Sequence, residues 1–499
     1  MSTGTLEAEA GQPMRRSVVS LSMVNAIDMA AQFLMPMLLV RLLSDADFGV
    51  YRALWLVAGT GIGILGFAVP ASLYYFVPRL SRGEAAVFVR QAGVYMAVAG
   101  TLGALAAALW CSWQSMAASS GLGFALFVGL WVFASLLDTL FSAQQRALDQ
   151  ARLNLLFALL RVGLVLGVAL QWSTWEAVLI AHLVLAAGKG AACLLAVWRF
   201  SSTGARSSRQ TVLEHARYVA PFGVSSAMYL LRGRIDQWLV VSLFSAAQFG
   251  LYSVAAVFSP IQGLFRATLN QVVLPEMNRL QSAGDLSQMQ GLNRRGNLAM
   301  GLLMFPTLAF IASRTEPLLS LLFTADYSAA APVVRTYCVV LFIESIEVTM
   351  ILTAMRQGGY MMRTDALTLP IVILVSWLAA QEFGLTGAAL GGVAGAVVAQ
   401  SAAFWRACAV TDTRLRDIQN WSALARIGLA CLPAAGLVSF VRGLPLAMPL
   451  AESPWLAMIF DGLLFTLVYW IGLHLLRLRS EVGDALGARL ARLLGFAVR

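Results

Sequence analysis

The sequence predicts an all-α polytopic membrane protein with about fourteen transmembrane helices. Of its 499 residues, 59% are hydrophobic and only 12% are charged, which is about half the charged fraction of a soluble domain. No folded core is large enough to hide that much apolar surface from water, so lipid must surround most of it. Apolar stretches of roughly 20 residues, the length that crosses a bilayer, recur along the whole chain.

Fourteen stretches are long and apolar enough to be predicted as spans. They are residues 18–40, 50–76, 86–110, 120–141, 153–171, 175–198, 218–243, 250–274, 297–315, 333–355, 366–383, 385–408, 422–441 and 455–476. The first follows Arg15 and Arg16 but is too long for the apolar region of a signal peptide. We therefore expect it to be retained as a span.

The basic residues predict the orientation of these spans. Cytoplasmic loops carry an excess of Arg and Lys. With the N-terminus inside, and with basic residues near a span end counted in the adjoining segment, 25 of the 35 basic residues fall in cytoplasmic segments, five in external segments and five within spans. Both termini are therefore predicted to be cytoplasmic. The net charge of +10 reflects this orientation, and we predict no nucleic-acid partner.

The polar parts of the chain give no sign of catalysis. The longest polar stretches, residues 199–217 and 276–296, are about 20 residues long and too short for a catalytic domain. The sequence contains no P-loop, dinucleotide fingerprint or HExxH motif. Its five cysteines have neither zinc-site nor disulfide-framework spacing. We expect no cofactor, no bound metal and no enzymatic activity.

Three short matches in the same order indicate an internal repeat. Residues 48–51 (FGVY) recur as 249–252 (FGLY), 77–79 (VPR) as 274–276 (LPE), and 198–199 (WR) as 405–406 (WR). The repeat unit is six spans, and an even number returns the chain to the same side of the membrane. Two parallel six-helix lobes plus two extra C-terminal helices are therefore predicted, an arrangement typical of transporters.

The repeat also sets the predicted domain boundaries. They are residues 1–198 for the N-terminal lobe, 199–217 for a cytoplasmic linker, 218–410 for the C-terminal lobe, and 411–499 for two additional spans and a basic cytoplasmic tail.

Three segments resemble a known family. LLSDADFGVYRALW between the first two spans, VPRLSRGE closing the second, and EFGLTGAALGGVAGAVV entering the twelfth are similar to the polysaccharide transporters of the multidrug/oligosaccharidyl-lipid/polysaccharide exporter superfamily. Within it the likeness is to O-antigen and exopolysaccharide flippases, and it covers nearly the whole chain. The resemblance supplies no site residue, because members share no universal catalytic signature.

The resemblance implies a flippase of undecaprenyl-diphosphate-linked oligosaccharide repeat units in the bacterial inner membrane. Its expected partners are that substrate, membrane lipids and polysaccharide assembly proteins. A cation-coupled drug antiporter or a lipid II flippase of the same fold are alternatives, and a membrane polysaccharide polymerase or ligase is a third. Polymerases of this pathway usually carry a sizeable periplasmic loop, which is not predicted here.

Charged residues inside spans are candidate functional residues, because each costs about 2.5–3.5 kcal/mol on insertion scales. The residues predicted to bind substrate in a cavity are Arg234, Arg232, Arg161, Lys189 and Arg266. Those predicted to couple transport to an ion are Glu344, Glu347, Asp28 and Asp236. The intramembrane set has five basic and six acidic members, more basic residues than we expect for a drug–cation antiporter.

The seventh span contains three of these charges. Arg232 and Asp236 are four residues apart, so on one helix they share a face and can pair. Arg234 lies about 200° round the helix from Arg232 and needs another partner. A lipid diphosphate is one, since guanidinium binds phosphate through two parallel hydrogen bonds. A carboxylate on a neighbouring helix is the alternative.

The tenth span contains the other close pair. Glu344 and Glu347 are three residues apart, and two neighbouring carboxylates suit a proton or sodium site. Pairing with Arg266 or Arg335 is the structural alternative.

Overall fold

The computed structural model describes Ile27 and residues 30–201, 207–442 and 453–478. In these ranges all regular structure is helical. The predicted carboxylate Asp28 and the basic tail beyond residue 478 lie outside the described residues. The chain forms two compact units. The first comprises the chain up to Arg234 together with Phe244–Gly250, and the second comprises Ile235–Leu243 and the chain from Leu251 onwards.

The first unit is built from nine helices among its described residues. They are α1 (Ala30–Leu39), α2 (Asp45–Leu65), α3 (Val69–Phe76), α4 (Arg82–Trp113), α5 (Ala118–Ala134), α6 (Leu136–Ala143), α7 (Ala147–Gln171), α8 (Trp175–Ser201) and α9 (Arg209–Arg232). The start of α11 also belongs to this unit.

The remaining helices belong to the second unit. They are α10 (Ile235–Leu243), α11 (Ala246–Ala255), α12 (Ser259–Ser282), α13 (Leu286–Ser313), α14 (Thr315–Leu322), α15 (Ala331–Ser345), α16 (Thr349–Ala354), α17 (Gly358–Thr411), α18 (Leu415–Ile418), α19 (Trp421–Arg442) and α20 (Pro454–Leu475). The predicted boundaries at residues 198, 217 and 410 stay a prediction.

Ten helices of the described ranges are long and apolar enough to cross a membrane, and the chain is a multi-pass membrane protein. The longest, α17, contains two predicted spans, residues 366–383 and 385–408. Gly384 divides them with a left-handed backbone (φ 55°, ψ −134°), which glycine adopts without steric cost. The predicted separation of these two spans at Gly384 is confirmed.

Five predicted spans are not continuous α-helices. Span 50–76 is divided into α2 and α3, span 120–141 into α5 and α6, span 218–243 into α9 and α10, and span 333–355 into α15 and α16. Span 250–274 is divided into α11, a 3₁₀ turn at Ala256–Phe258 and α12. Hydropathy does not show such breaks, because it averages over a window and is blind to backbone conformation.

The break between α2 and α3 has a visible cause. Phe67 and Ala68 take left-handed conformations (φ 44° and 58°), which cost a non-glycine residue of order 1–3 kcal/mol and persist only where the surroundings enforce them. Pro70 in the first turn of α3 has no N–H to continue an upstream helix. The Phe67 ring lies against Gly223 of α9, where an added Cβ would be 2.5 Å from the ring.

The repeated FGVY and FGLY motifs mark equivalent structures. Each follows a serine, Ser44 or Ser245, whose hydroxyl accepts a hydrogen bond from the first helical turn. Such caps satisfy N–H groups that a helix start leaves free. The glycines of the two motifs meet: a Cβ on Gly49 would lie 1.8 Å from Ala246 O, and one on Gly250 would lie 3.3 Å from Gly49 Cα. The repeat therefore encodes a capped helix start and a close backbone contact.

The two arms of α17 form a hairpin that depends on glycine. A Cβ on Gly387 would lie 1.9 Å from Ala379 O, and one on Gly391 would lie 1.9 Å from Ser376 Oγ. Small residues at four-residue spacing allow such close helix approach.

The two C-terminal helices are fixed to the second unit by a buried ion-pair cluster. The Asp461 carboxylate on α20 lies 2.9 Å from Arg314 Nη2 and 2.8 Å from Arg442 Nε. Its side chain is 2% exposed, so this charge is matched by cations from α19 and from the turn after α13.

Candidate functional site

The first unit contains a polar cavity among its apolar helices. Two adjoining cavities of about 220 and 280 Å³ share Gln32, Trp131 and Arg161 in their walls. The other polar or aromatic lining residues are Ser135, Asp138, Asn154, Phe157 and Lys189 in the smaller cavity, and Tyr51, Arg52, Trp55 and His182 in the larger. Pockets with convergent polar groups between membrane helices are the usual location of transported ligands.

Helix periodicity explains how distant residues reach this cavity. Asn154 and Arg161 are seven residues apart on α7, and His182 and Lys189 are seven apart on α8. Seven residues are almost two full turns, so the members of each pair lie on one face. Both helices are apolar enough to cross a membrane. The seven-residue spacing of polar side chains is therefore the sequence signal for this cavity.

The charges of the cavity are mainly positive. Lys189 Nζ donates a 2.9 Å hydrogen bond to Asp138 Oδ2, and Asp138 Oδ1 is buried with no hydrogen-bond partner among the described residues. Arg52 and Arg161 add two further guanidinium groups. Among the described lining residues, three basic side chains and one carboxylate give a net positive charge, which favours an anionic ligand.

Aromatic rings form the second feature of the cavity. The rings of Trp55 and Trp131 meet edge to face with centroids 5.7 Å apart, and His182 contacts Trp55 at 5.3 Å. The His182 Nδ1–H donates to Val178 O at 2.9 Å. Its Nε2 is buried and has no hydrogen-bond partner in the described ranges. The walls thus combine apolar ring surface with polar groups that can orient a ligand.

Arg234 packs against the face of α2 that carries two cavity residues. A Cβ on Gly59 would lie 2.4 Å from Arg234 Nη1, so the guanidinium rests against this glycine. Gly59 is four residues from Trp55 and seven from Arg52, and these spacings place all three on one helix face. Arg234 is not among the lining residues of the two cavities.

The prediction that Arg232 and Asp236 share one helix face is wrong. Helix α9 ends at Arg232 and α10 begins at Ile235, so the four-residue rule for a continuous helix does not apply. The guanidinium of Arg232 lies 5.6 Å from the Tyr229 ring centroid.

Asp236 is held by two tyrosines of the second unit. Its buried Oδ2 accepts hydrogen bonds from Tyr252 Oη at 2.6 Å and from Tyr337 Oη. The two rings meet edge to face, 5.8 Å apart. Tyr252 belongs to the repeated FGLY motif, so the repeat supplies one hydrogen-bond donor to this carboxylate.

Glu344 and Glu347, the predicted ion-coupling pair, do not lie on one continuous helix. Helix α15 ends at Ser345, and Ile346 is extended (φ −103°, ψ 102°). Glu347 is buried, and its Oε2 lies 3.4 Å from Arg266 Nη2. Arg266 Nη2 also donates to Glu344 O at 2.6 Å. The structure thus brings Arg266, Glu344 and Glu347 together through one guanidinium, and Arg335 pairs instead with Glu316.

The sequence predicted Arg161 and Lys189 as cavity residues but did not place the other lining residues with them. Arg52 was not among the predicted cavity residues; α2 begins at Asp45 and carries it within a helix. Trp55 and Trp131 gave no signal as single residues. Across the described ranges no group of three or more His, Cys, Asp and Glu residues could hold a metal ion.

The helical fold, the internal repeat and a polar cavity among apolar helices define a polytopic membrane protein of a transporter fold class. The chain belongs to the polysaccharide biosynthesis protein family, whose sequence profile matches residues 38–332. No curated protein matches the chain.

Solved structures share the fold. The lipid II flippase MurJ in an inward closed conformation has a TM-score of 0.72 at 10% identity, covering 91% of this chain and 98% of its own. An outward-facing multidrug resistance MATE family transporter of the MOP superfamily has a TM-score of 0.51 at 14% identity, with coverages of 80% and 97%. These likenesses confirm the predicted fold class.

Proposed function

We propose that this protein is a flippase that moves undecaprenyl-diphosphate-linked oligosaccharide repeat units from the inner to the outer leaflet of the bacterial inner membrane. The observation that carries the proposal is the cavity of the first unit, whose described lining residues include the basic side chains Arg52, Arg161 and Lys189 and the carboxylate Asp138. Membership of the polysaccharide biosynthesis protein family supports a glycan-linked substrate.

The cavity chemistry suits each part of such a head group. A diphosphate carries about two negative charges, whose transfer out of water is costly unless they are matched. Guanidinium groups match them with bidentate hydrogen bonds. The amides of Gln32 and Asn154 can bind sugar hydroxyls, and Trp55 and Trp131 offer apolar ring surface. The lipid tail can stay in the bilayer while the two repeats alternate access to the head group.

Ion coupling is part of the proposal. Asp236, Glu344, Glu347 and Asp28 are its proposed carboxylates, and both termini are proposed to be cytoplasmic. The Asp236 carboxylate, held by two neutral tyrosine hydroxyls, has the surroundings of a group that can exchange a proton or bind a cation.

Lipid II transport is a second candidate function, supported by the fold likeness to a lipid II flippase. Lipid II also carries a diphosphate, so the same cavity would bind it. Cation-coupled drug export is less well supported, since a basic cavity repels cationic drugs. Rescue of growth after depletion of a cell's own lipid II flippase would favour the second candidate. Rescue of polysaccharide export alone would favour the first.

The test of the proposal is export of polysaccharide in a strain that lacks this protein. A charged hydrogen bond contributes about 1.5–3 kcal/mol, so Arg161→Ala should lower export by about tenfold or more at equal membrane abundance. Arg161→Lys should lower it less, because charge is kept and the bidentate geometry is lost. Arg152→Ala is the matched control, since this arginine is on the same helix with a side chain 80% exposed.

Arg234 is tested in the same assay. Arg234→Lys should weaken export and Arg234→Ala should weaken it further. Full export by both Arg161→Ala and Arg234→Ala at normal abundance would contradict a phosphate-binding role for these residues.

A further inference from the structure

The break between α15 and α16 exposes backbone that a helix would have satisfied. Residues Ile346, Glu347 and Val348 separate the two helices, and Val348 is also non-helical (φ −127°, ψ 11°). Non-helical backbone at membrane depth needs partners inside the protein, because lipid provides none. In the second unit these partners are side-chain amides.

Asn297 of α13 satisfies the backbone of Glu347 at both ends. Its Nδ2 donates to Glu347 O at 2.7 Å, and its Oδ1 accepts from Glu347 N at 3.1 Å. This pair of hydrogen bonds replaces the bonds of a continuous helix and accounts for the unwound conformation.

Two more amides face the same carbonyl oxygen and are badly matched to it. Asn293 Nδ2 lies 3.4 Å and Gln419 Nε2 lies 3.5 Å from Glu347 O. At the other end of each amide, Asn293 Oδ1 and Gln419 Oε1 are buried with no hydrogen-bond partner among the described residues. The two residues are 0% and 3% exposed. The Glu347 carbonyl oxygen, which has two lone pairs, therefore faces three amide donors. The two buried amide oxygens have no donor among the described residues.

A rotation of both side-chain amides by half a turn exchanges the donors and acceptors that face the Glu347 carbonyl oxygen. The turn exchanges oxygen for nitrogen at nearly the same positions and places Asn293 Oδ1 and Gln419 Oε1 about 3.4 and 3.5 Å from Glu347 O. Oxygens that share a cation at about 2.4 Å and a right angle are about 3.4 Å apart. Neutral oxygens at this separation from a carbonyl oxygen repel it unless a cation lies between them.

We propose that Glu347 O, Asn293 Oδ1 and Gln419 Oε1 bind a monovalent cation of the size of sodium. Unwound carbonyls beside broken helices are suited to this role, because their dipoles are free to point at the ion. The site lies entirely in the second unit, and its existence does not depend on which substrate the protein carries.

The local charge selects a monovalent ion. The Glu347 carboxylate is the nearby anion, and it already shares its charge with Arg266, 3.4 Å away. A divalent ion would leave an uncompensated positive charge in a buried place, which is costly. A monovalent ion bound by neutral oxygens needs less compensation.

The bound cation would join three separate segments of the second unit. Asn293 lies on α13, Glu347 in the break after α15, and Gln419 in the link between α18 and α19. The ion thus stabilises the unwound segment that carries Glu347. It provides a physical means by which an ion gradient could act on this unit.

The experiment is thermal unfolding of the purified full-length protein in detergent, titrated with NaCl against choline chloride at constant ionic strength. A ligand that binds the folded state raises stability by RT ln(1 + [L]/Kd). We expect a saturable rise of the unfolding temperature with Na⁺ but not with choline. An equal response to both salts would overturn the proposal, and would leave bridging water as the partner of the two amides.

Variants locate the site. The double variant Asn293→Leu with Gln419→Leu should abolish the Na⁺-dependent rise. Gln290→Leu is the matched control, because Gln290 is a buried amide on the same helix that bonds Thr413 instead, and it should keep the rise. Asn293→Asp adds a charged ligand and should shift the Na⁺ midpoint several-fold lower. A normal Na⁺ response in the double variant, or an unchanged or higher midpoint in Asn293→Asp, would overturn the assignment.

Discussion

Buried carboxylates in this protein are stabilised in two different ways. Asp461 lies between Arg314 and Arg442, so its charge is neutralised by fixed cations and its role is to join helices. Asp236 accepts hydrogen bonds from the neutral hydroxyls of Tyr252 and Tyr337. The second arrangement costs more to keep ionised in a low-dielectric interior, and it is the one that suits an exchangeable ion.

His215 is a buried histidine just before the predicted seventh span. Its Nε2 lies 2.7 Å from Ser72 Oγ, and its Nδ1 lies 3.2 Å from Gln91 Oε1. In a neutral ring Nδ1–H donates to Gln91 Oε1 and Nε2 accepts from the Ser72 hydroxyl. Burial lowers the pKa of His215 from 6.5 to about 4.

This pKa shift predicts a pH dependence of stability. Between pH 6.5 and about 4 the unfolded histidine binds a proton and the folded one does not, so stability falls as the pH falls through this window. His215→Gln should remove this part of the pH dependence, measured as the unfolding temperature of purified protein from pH 4 to pH 8. His474→Gln serves as control and should retain it. An unchanged pH profile in His215→Gln would contradict a buried neutral His215.

At the scale of helices, glycines decide how closely elements approach. The FG motifs join the starts of α2 and α11 through Gly49 and Gly250, and the arms of α17 meet at Gly387. In each place a neighbouring main chain occupies the volume of a side chain. Such contacts are specific to their position, because the backbone cannot move aside as a flexible side chain would.

Gly387→Ala should therefore destabilise the protein. The added methyl would lie 1.9 Å from Ala379 O, and overpacking of this kind costs about 1–3 kcal/mol. The measurement is the unfolding temperature and the amount of folded protein in the membrane. Gly163→Ala on α7 is the control, since nothing lies within 4 Å of its Cβ and alanine favours a helix. Equal stability of the two variants would show that the hairpin tolerates a wider separation.

For the molecule as a whole, membrane topology is the property that the charge pattern predicts most directly. Ser119 and Ser173 lie near helix ends that the charge pattern assigns to the outside of the membrane. Ser207 follows α8, at an end that the same pattern assigns to the inside. All three residues are exposed. Two membrane crossings separate the first pair, and one separates Ser173 from Ser207.

Single cysteines at these positions test the topology. In a variant without the five native cysteines, Ser119→Cys and Ser173→Cys should react with an impermeant thiol reagent added from outside. Ser207→Cys should react only after the membrane is permeabilised. Reaction of Ser207→Cys in intact cells would contradict the predicted orientation.

Much of this architecture can be predicted from the sequence, because it depends on hydropathy and charge summed over short stretches of residues. Twenty apolar residues predict a span wherever they occur, and an excess of arginine predicts a side of the membrane. The separation at Gly384 and the capped repeat at residues 48–51 and 249–252 are local as well. Each is a signal of a few neighbouring residues, and the structure has helices where these signals place them.

The tertiary structure decided which charges meet and where helices break. Lys189 pairs with Asp138, 51 residues away in the sequence, and Gln419 contacts the Glu347 carbonyl, 72 residues away. Such pairs depend on the rotation and packing of whole helices, which local spacing does not encode. The shared face predicted for Arg232 with Asp236 required an unbroken helix, and the three-residue spacing of Glu344 and Glu347 also crosses a helix end. Distant contacts, such as those of Asn297 with Glu347, stabilise the break instead, because they replace the backbone hydrogen bonds that a helix would have made.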